Sequence, residues 1–165
     1  MNDKSIPFNS AREIGDELRY IEQSMKNSHI SSSGEFTSKC NLFFEEFFSL
    51  QKSFLTTSCT SALEAVALLL NLKPGDEIIL PSYTFVSTAN AFILNGAKPI
   101  FIDIRADTLN LDEKLLESHI TNKTKAIIPV HYAGVACEMD EIIKIAKDNN
   151  IIVIEDNAHG LFGKY

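Results

Sequence analysis

The sequence predicts an α/β fold with a largely parallel sheet and flanking helices. Three observations carry the prediction. From residue 53 onward, short β-branched runs alternate with longer stretches whose apolar residues recur at helical spacing. The runs at 125–130 and 151–155 are apolar almost throughout, as strands buried on both faces must be. Glycine and proline fall between the runs, as in Pro74-Gly75-Asp76 before one strand and Asn95-Gly96 after one helix.

Taken in order, residues 1–50 form an N-terminal helical segment. An amphipathic stretch at 11–25 leads to a loop at 27–34 and then a helix at 36–48. There Phe43, Phe44, Phe47 and Phe48 recur at helical spacing and are expected to pack into a core. Residues 51–165 form the α/β part, with strands expected at 53–57, 77–80, 98–103, 125–130 and 151–155. Helices are expected at 60–70, 86–94, 112–119 and 139–149. In open parallel sheets ligands bind beyond the carboxyl ends of the strands, which singles out residues 58–61, 82–88, 104–107, 131–134 and 156–159.

Composition narrows the function. With 45% hydrophobic and 22% charged residues, the 165-residue chain is an ordinary globular sequence. Its 15 basic and 22 acidic residues give a net charge of −7, without a basic patch to offset it, so nucleic acid is not an expected partner. The longest apolar run, 65–70, is too short to cross a bilayer, and a cytoplasmic protein is expected. Cys40, Cys59 and Cys137 are widely spaced, which predicts reduced thiols and no metal site. Nucleotide-binding glycine loops, the hydrolase elbow and the zincin motif are absent from the sequence.

Three segments carry chemistry. Thr56-Thr57-Ser58-Cys59-Thr60-Ser61 enters a helix through small hydroxyl residues, where free amides can hold a phosphate or a Ser/Thr cap can serve only its own helix. Pro81-Ser82-Tyr83-Thr84-Phe85-Val86-Ser87-Thr88 sets two aromatics just after a strand, either to stack on a flat ligand or to fill a core. Strand 151–155 delivers Glu155, Asp156, Asn157, Ala158 and His159 at its end. Alternation sends Glu155 and Asp156 to opposite faces, so one faces a ligand and they do not act as a carboxylate pair. An Asp at this position can hold a proton on a heterocyclic nitrogen or cap the next helix.

Together and in this order, the motifs resemble those of the DegT/DnrJ/EryC1/StrS family of sugar aminotransferases. The resemblance runs from Ile6-Pro7-Phe8 to Tyr165, through Pro74-Gly75-Asp76-Glu77, Pro81–Ala91, Gly96-Ala97, Pro129-Val130-His131-Tyr132-Ala133-Gly134 and Glu155-Asp156. It implies the large domain of a fold-type I enzyme that uses pyridoxal 5′-phosphate (PLP), works as a homodimer, and takes a nucleotide sugar and glutamate as substrates. By position, Thr60 and Ser61 would hold the cofactor phosphate, mainly through backbone amides. Phe85 would stack on one face of the pyridine ring and Ala158 would pack on the other. Asp156 would pair with the pyridine nitrogen. His159 would stand near the phenolic oxygen, where many relatives have glutamine, and His131 would stand behind these residues. Asn157 departs from the more usual alanine. Residues 129–140 and Ser58-Cys59-Thr60 further imply amino transfer to a dTDP-4-keto-6-deoxy-hexose in cell-surface polysaccharide biosynthesis.

The resemblance also implies that the Schiff-base lysine, the small C-terminal domain and much of the sugar-binding surface lie beyond Tyr165. No catalytic residue is therefore assigned within the chain, Lys164 included, and the chain alone is expected to be inactive and prone to self-association. The competing reading is a non-catalytic module that binds a phosphate ligand or a partner chain through the same surface. A third is an α/β domain whose polar strand ends serve only as helix caps.

Overall fold

The computed structural model describes residues 10 and 12–164, and its contacts divide the chain between Leu55 and Thr56. Ile6-Pro7-Phe8, Ala11 and Tyr165, which belong to the stretches singled out above, lie outside the described residues.

In the first unit the amphipathic stretch becomes α1 (Glu17–Lys26), and the phenylalanine-rich stretch becomes α2 (Glu35–Phe47). Tyr20 meets Phe36 edge-on at 5.2 Å, and Gln23 and Asn27 donate to the Glu35 carboxylate at 3.4 and 2.6 Å, so the two helices are tied by one aromatic and two polar contacts. Neither helix buries a residue. The expected aromatic core is therefore corrected. Residues four apart share a helix face, and Phe43 stacks on Phe47 at 5.5 Å while Phe44 stacks on Phe48 at 6.0 Å, giving a ladder of rings along α2. Phe47 remains 58% exposed. The strand expected at 53–57 does not form either. The Ser53 amide donates to the Glu45 side chain at 3.0 Å instead of to a neighbouring strand, and the Thr56 hydroxyl turns onto the Ser58 carbonyl at 2.8 Å.

The second unit is a three-layer α/β sandwich. Its order is α3 (Cys59–Leu69), β1 (Glu77–Pro81), α4 (Val86–Ile93), β2 (Lys98–Ile102), a 3₁₀ turn at Glu113–Leu115, α5 (Leu116–His119), β3 (Thr124–Ile127), a second 3₁₀ turn at Tyr132–Gly134, α6 (Met139–Asp148) and β4 (Ile152–Val153). The four strands are all parallel, in the order β2-β1-β3-β4. β1 is buried along its whole length, as its central position requires, with Glu77 at its start bonded to Lys98 and Thr121 and an apolar run after it.

Strand alternation divides the core into two layers. Ile78, Leu80, Ala126 and Ile128 face Leu63 and Ala67 of α3 and Ala89 and Phe92 of α4. Ile79 and Ile127 face Leu116 of α5 and Ile142 and Ala146 of α6. Gly96, at φ +94°, closes α4, and a Cβ there would come within 3.4 Å of Pro74, so the turn before β1 and the turn after α4 interlock.

The later elements are shorter than the sequence suggests. The strands expected at 125–130 and 151–155 reduce to β3 and β4, although the chain stays extended beyond both. Ile154 donates to Ile127, and Asp156 donates to Pro129 at 2.9 Å. Proline brings no N–H to the ladder, so regular pairing stops before it. The helix expected at 112–119 divides into a 3₁₀ turn and α5, with the Asp112 carboxylate capping the Lys114 amide at 3.1 Å.

Candidate functional site

The strand order reverses between β1 and β3, and the loops that leave the carboxyl ends of those two strands, together with the residues after β4, form the candidate site.

The start of α3 supplies donors. Ser58 is extended (φ −162°, ψ 162°) and its hydroxyl oxygen accepts the Ser61 amide at 3.1 Å. The Ser61 hydroxyl lies 3.1 Å from Ser58 Oγ and 3.3 Å from Thr57 Oγ1. First-turn amides have no acceptor within the helix, so Cys59 and Thr60 present free N–H groups at its positive end. Ser61 differs from these two. Its amide is already taken by Ser58, and what it offers an anion is its hydroxyl.

Asp156 is 5% exposed and gathers neutral donors from three directions. Thr88 Oγ1 donates to Oδ2 at 2.7 Å, while the Ala158 amide and the Cys59 thiol approach Oδ1 at 3.3 and 3.6 Å. Among the described residues, no Lys, Arg or His pairs with it. A buried carboxylate without a cation is costly, and it favours a ligand that brings a positive N–H. Asp156 does cap a turn through Ala158, yet its shortest bond comes from Thr88, far along the chain. The Cys59 thiol is pushed up to about 11, first by burial and then by the Asp156 charge, so at neutral pH it remains an S–H donor.

Glu155 faces the other way, as strand alternation requires. His131 is buried, and its Nδ1 accepts the Cys137 amide at 3.1 Å. Nε2 therefore carries the proton and donates to Glu155 Oε2 at 2.8 Å, a bond that holds the Glu155 carboxyl below its ordinary range. Glu155, His131, Asn157 and Lys164 line a cavity of about 80 Å³, in which Asn157 Oδ1 has no hydrogen-bond partner.

An aromatic wall completes the arrangement. The rings of Tyr83 and Tyr132 lie 4.5 Å apart, the Tyr132 hydroxyl donates to that of Tyr83 at 3.0 Å, and His159 meets Tyr132 edge-on at 5.7 Å. Gly134 has φ +83°, and a Cβ on it would sit 3.2 Å from the His159 carbonyl oxygen, so only glycine lets the 131–134 loop close on His159. The Ala133 amide donates to His159 Nδ1 at 3.2 Å, which leaves Nε2 as the free donor. Phe85 caps α4 and is 69% exposed, with its ring available to a ligand.

Of the residues expected at the site, Asp156 and Ala158 are joined directly. Thr60 and Ser61 follow the Cys59 that touches Asp156, and Phe85 caps the helix that carries Thr88. His159 is held instead against the 131–134 loop, by the Ala133 amide and the Tyr132 ring. The sequence reading missed Thr88 and Cys59 as partners of Asp156. A signal for Thr88 was present, since a threonine in the first turn of a helix after a central strand stands at the carboxyl edge of the sheet. Among the described residues, no group of three or more His, Cys, Asp or Glu is placed to hold a metal ion, and no helix is long and apolar enough to cross a membrane.

Residues 12–165 match the family model of the DegT/DnrJ/EryC1/StrS aminotransferases. The chain is 36% identical over 151 residues to GDP-perosamine synthase of Caulobacter vibrioides, which covers 92% of this chain and 41% of the synthase. Two crystal structures superpose at TM-score 0.84. One is NtdA from Bacillus subtilis with bound cofactor PMP, at 31% identity over 89% of this chain and 34% of NtdA. The other is GDP-4-keto-6-deoxymannose-3-dehydratase with a trapped PLP-glutamate geminal diamine, at 30% identity over 94% of this chain and 42% of the dehydratase. The chain thus spans about two fifths of the length of the curated relatives it matches.

Proposed function

The chain belongs to the DegT/DnrJ/EryC1/StrS aminotransferase family, and from that premise we propose that it supplies the cofactor-binding part of a PLP-dependent nucleotide-sugar aminotransferase. The observation that carries this reading is Asp156, a buried carboxylate that accepts only neutral donors and has no cation beside it among the described residues. A protonated pyridine nitrogen supplies the missing positive N–H. When bound, the pyridine ring serves as the electron sink for the carbanion chemistry of amino transfer.

The residues fit the cofactor end by end. The amides of Cys59 and Thr60 and the Ser61 hydroxyl would hold its phosphate at the start of α3. Asp156 would keep the ring nitrogen protonated, because an adjacent negative charge favours the charged form. Phe85 and Ala158 would cover the two ring faces. His159 would donate from Nε2 to the phenolic oxygen, in the tautomer that its bond from Ala133 favours. Lys164 lines the cavity on the Glu155 side of the strand end. That supports assigning the amine that completes the site to a lysine outside this chain.

For the whole enzyme we propose a homodimer that moves an amino group from glutamate to C4 of a dTDP-4-keto-6-deoxy-hexose, as dTDP-4-amino-4,6-dideoxygalactose transaminase does. The support is the Pro129-Val130-His131-Tyr132-Ala133-Gly134 run and Ser58-Cys59-Thr60. The names of two similar proteins point to GDP-linked sugars, so the assay offers both nucleotides. With nitrogen-15 glutamate, a longer protein containing this chain is expected to label the dTDP-linked product. Label appearing only in a GDP-linked sugar rejects the nucleotide assignment. Pyridoxamine phosphate (PMP) that binds the parent chain and an Asp156→Asn chain equally rejects the cofactor assignment.

A further inference from the structure

We infer that Thr88, with Thr84 behind it, is a positioning residue that aims the Asp156 carboxylate and fixes which of its oxygens is left to meet a cationic ring nitrogen. The inference rests on the cofactor reading above and adds a role for residues outside that contact set.

The directions of the two hydrogen bonds follow from chemistry. An ionised carboxylate only accepts, so at 2.7 Å the Thr88 hydroxyl must donate its single proton to Asp156 Oδ2. Thr84 Oγ1 lies 2.9 Å from Thr88 Oγ1, and with that proton already committed, Thr84 must be the donor of this second bond. The result is a one-way relay, Thr84 to Thr88 to Asp156. Thr88 is 0% exposed, so water cannot replace it.

The two carboxylate oxygens are consequently unequal. Oδ2 takes a short hydroxyl bond, whereas Oδ1 has only the 3.3 Å amide of Ala158 and the weak 3.6 Å thiol of Cys59. Oδ1 is the oxygen free to take a further, stronger donor. The relay also spans Phe85, which lies between Thr84 and Thr88 and caps α4. One pair of bonds therefore sets both the edge contact to the ring nitrogen and the segment that carries the ring on its face.

PMP needs no lysine for binding and reports both effects, through its affinity and through the nitrogen-15 shift of its ring. Thr88→Val keeps the shape but removes the donor. It is expected to weaken PMP binding about tenfold or more, as loss of a hydrogen bond to a charged group does. The ring-nitrogen resonance is expected to move toward the unprotonated position. Thr88→Ser should restore both readouts, and Thr84→Val should give a smaller change in the same direction. Parent-like affinity and shift in both valine variants, with binding lost in Asp156→Asn, would overturn the relay and leave the cofactor reading intact. Parent-like binding in Asp156→Asn, or no binding by the parent chain at millimolar PMP, would overturn both. Equal loss in the serine and valine variants would reduce Thr88 to packing and overturn the relay. If Thr88→Val does not give a folded melting curve, Thr84→Val, whose side chain is half-buried, decides the matter by the same two readouts.

Discussion

Asp156→Asn separates function from stability at the site. In the parent chain the carboxylate is buried, with Thr88 at 2.7 Å as its one strong partner and no cation beside it among the described residues. Dehydrating such a charge costs several kcal/mol, and one charge-assisted bond returns about 1.5–3 kcal/mol of it. The amide removes the charge and keeps an oxygen for the Thr88 hydroxyl. Its NH₂ then faces the Ala158 amide, and leaving that donor unpaired costs about 1–3 kcal/mol. The two changes nearly offset, so the unliganded variant is expected to unfold in denaturant within about 1 kcal/mol of the parent. PMP affinity should nevertheless fall roughly ten- to a hundred-and-fifty-fold, the equivalent of one lost bond between charged partners. Paired urea melts and PMP titrations measure both. A loss of several kcal/mol in the unliganded variant, with affinity unchanged, would make Asp156 a structural residue and refute the reasoning.

Three further outcomes are expected. Gly134→Ala forces a side chain into φ +83° and brings its Cβ to 3.2 Å from the His159 carbonyl, so it should cost about 1–2 kcal/mol in denaturant melts and shift the His159 ring resonances. Asp107 is held down to about 2, first by its hydrogen bonds to Arg105, against an ordinary value of 3.8. Because its folded value is depressed, its contribution to stability is complete above about pH 4 and fades as pH falls toward 2, and Asp107→Asn should flatten the melting-temperature slope in that window. Iodoacetamide labelling of Cys59 should keep rising with pH until about 11, and a plateau near pH 8 would contradict the burial and the Asp156 contact that raise the thiol.

The parallel sheet was legible because burial on both faces leaves a simple trace. Ile78, Ile79 and Leu80 of β1 and Ala126 and Ile127 of β3 sit in the middle of the sheet and are buried on each side, whereas the run at 151–155, equally apolar, forms the edge strand β4 and leaves Ile152 51% exposed. Edges and ends were less legible. The expected strand at 53–57 has β-forming residues, but Ser53 and Thr56 satisfy their local hydrogen bonds through a side chain and a turn, which no periodicity reveals. The α2 phenylalanines repeat at core spacing, yet they stack on one another along the helix, and the pattern is identical for either outcome.

The candidate site divides along the same line. Strand parity and position at a carboxyl end, both local properties of the sequence, narrowed the ligand-facing carboxylate to Glu155 or Asp156, and the family resemblance chose Asp156. Its partners were not legible, because Thr88 and Cys59 reach it from two other helices, and which hydroxyl or thiol meets the carboxylate depends on how α3 and α4 pack over the sheet. Ser61 makes the point from the opposite side. Sequence placed it correctly at the helix start, but whether its amide is free depends on the rotamer of Ser58, and with that bond made the first-turn amides left without an acceptor are those of Cys59 and Thr60. Residue type and strand position thus indicate where a charged ligand can be met. The donors already committed within the protein decide which atoms would remain to meet it, and in this chain those are Asp156 Oδ1, the amides of Cys59 and Thr60, the Ser61 hydroxyl and the Nε2 of His159.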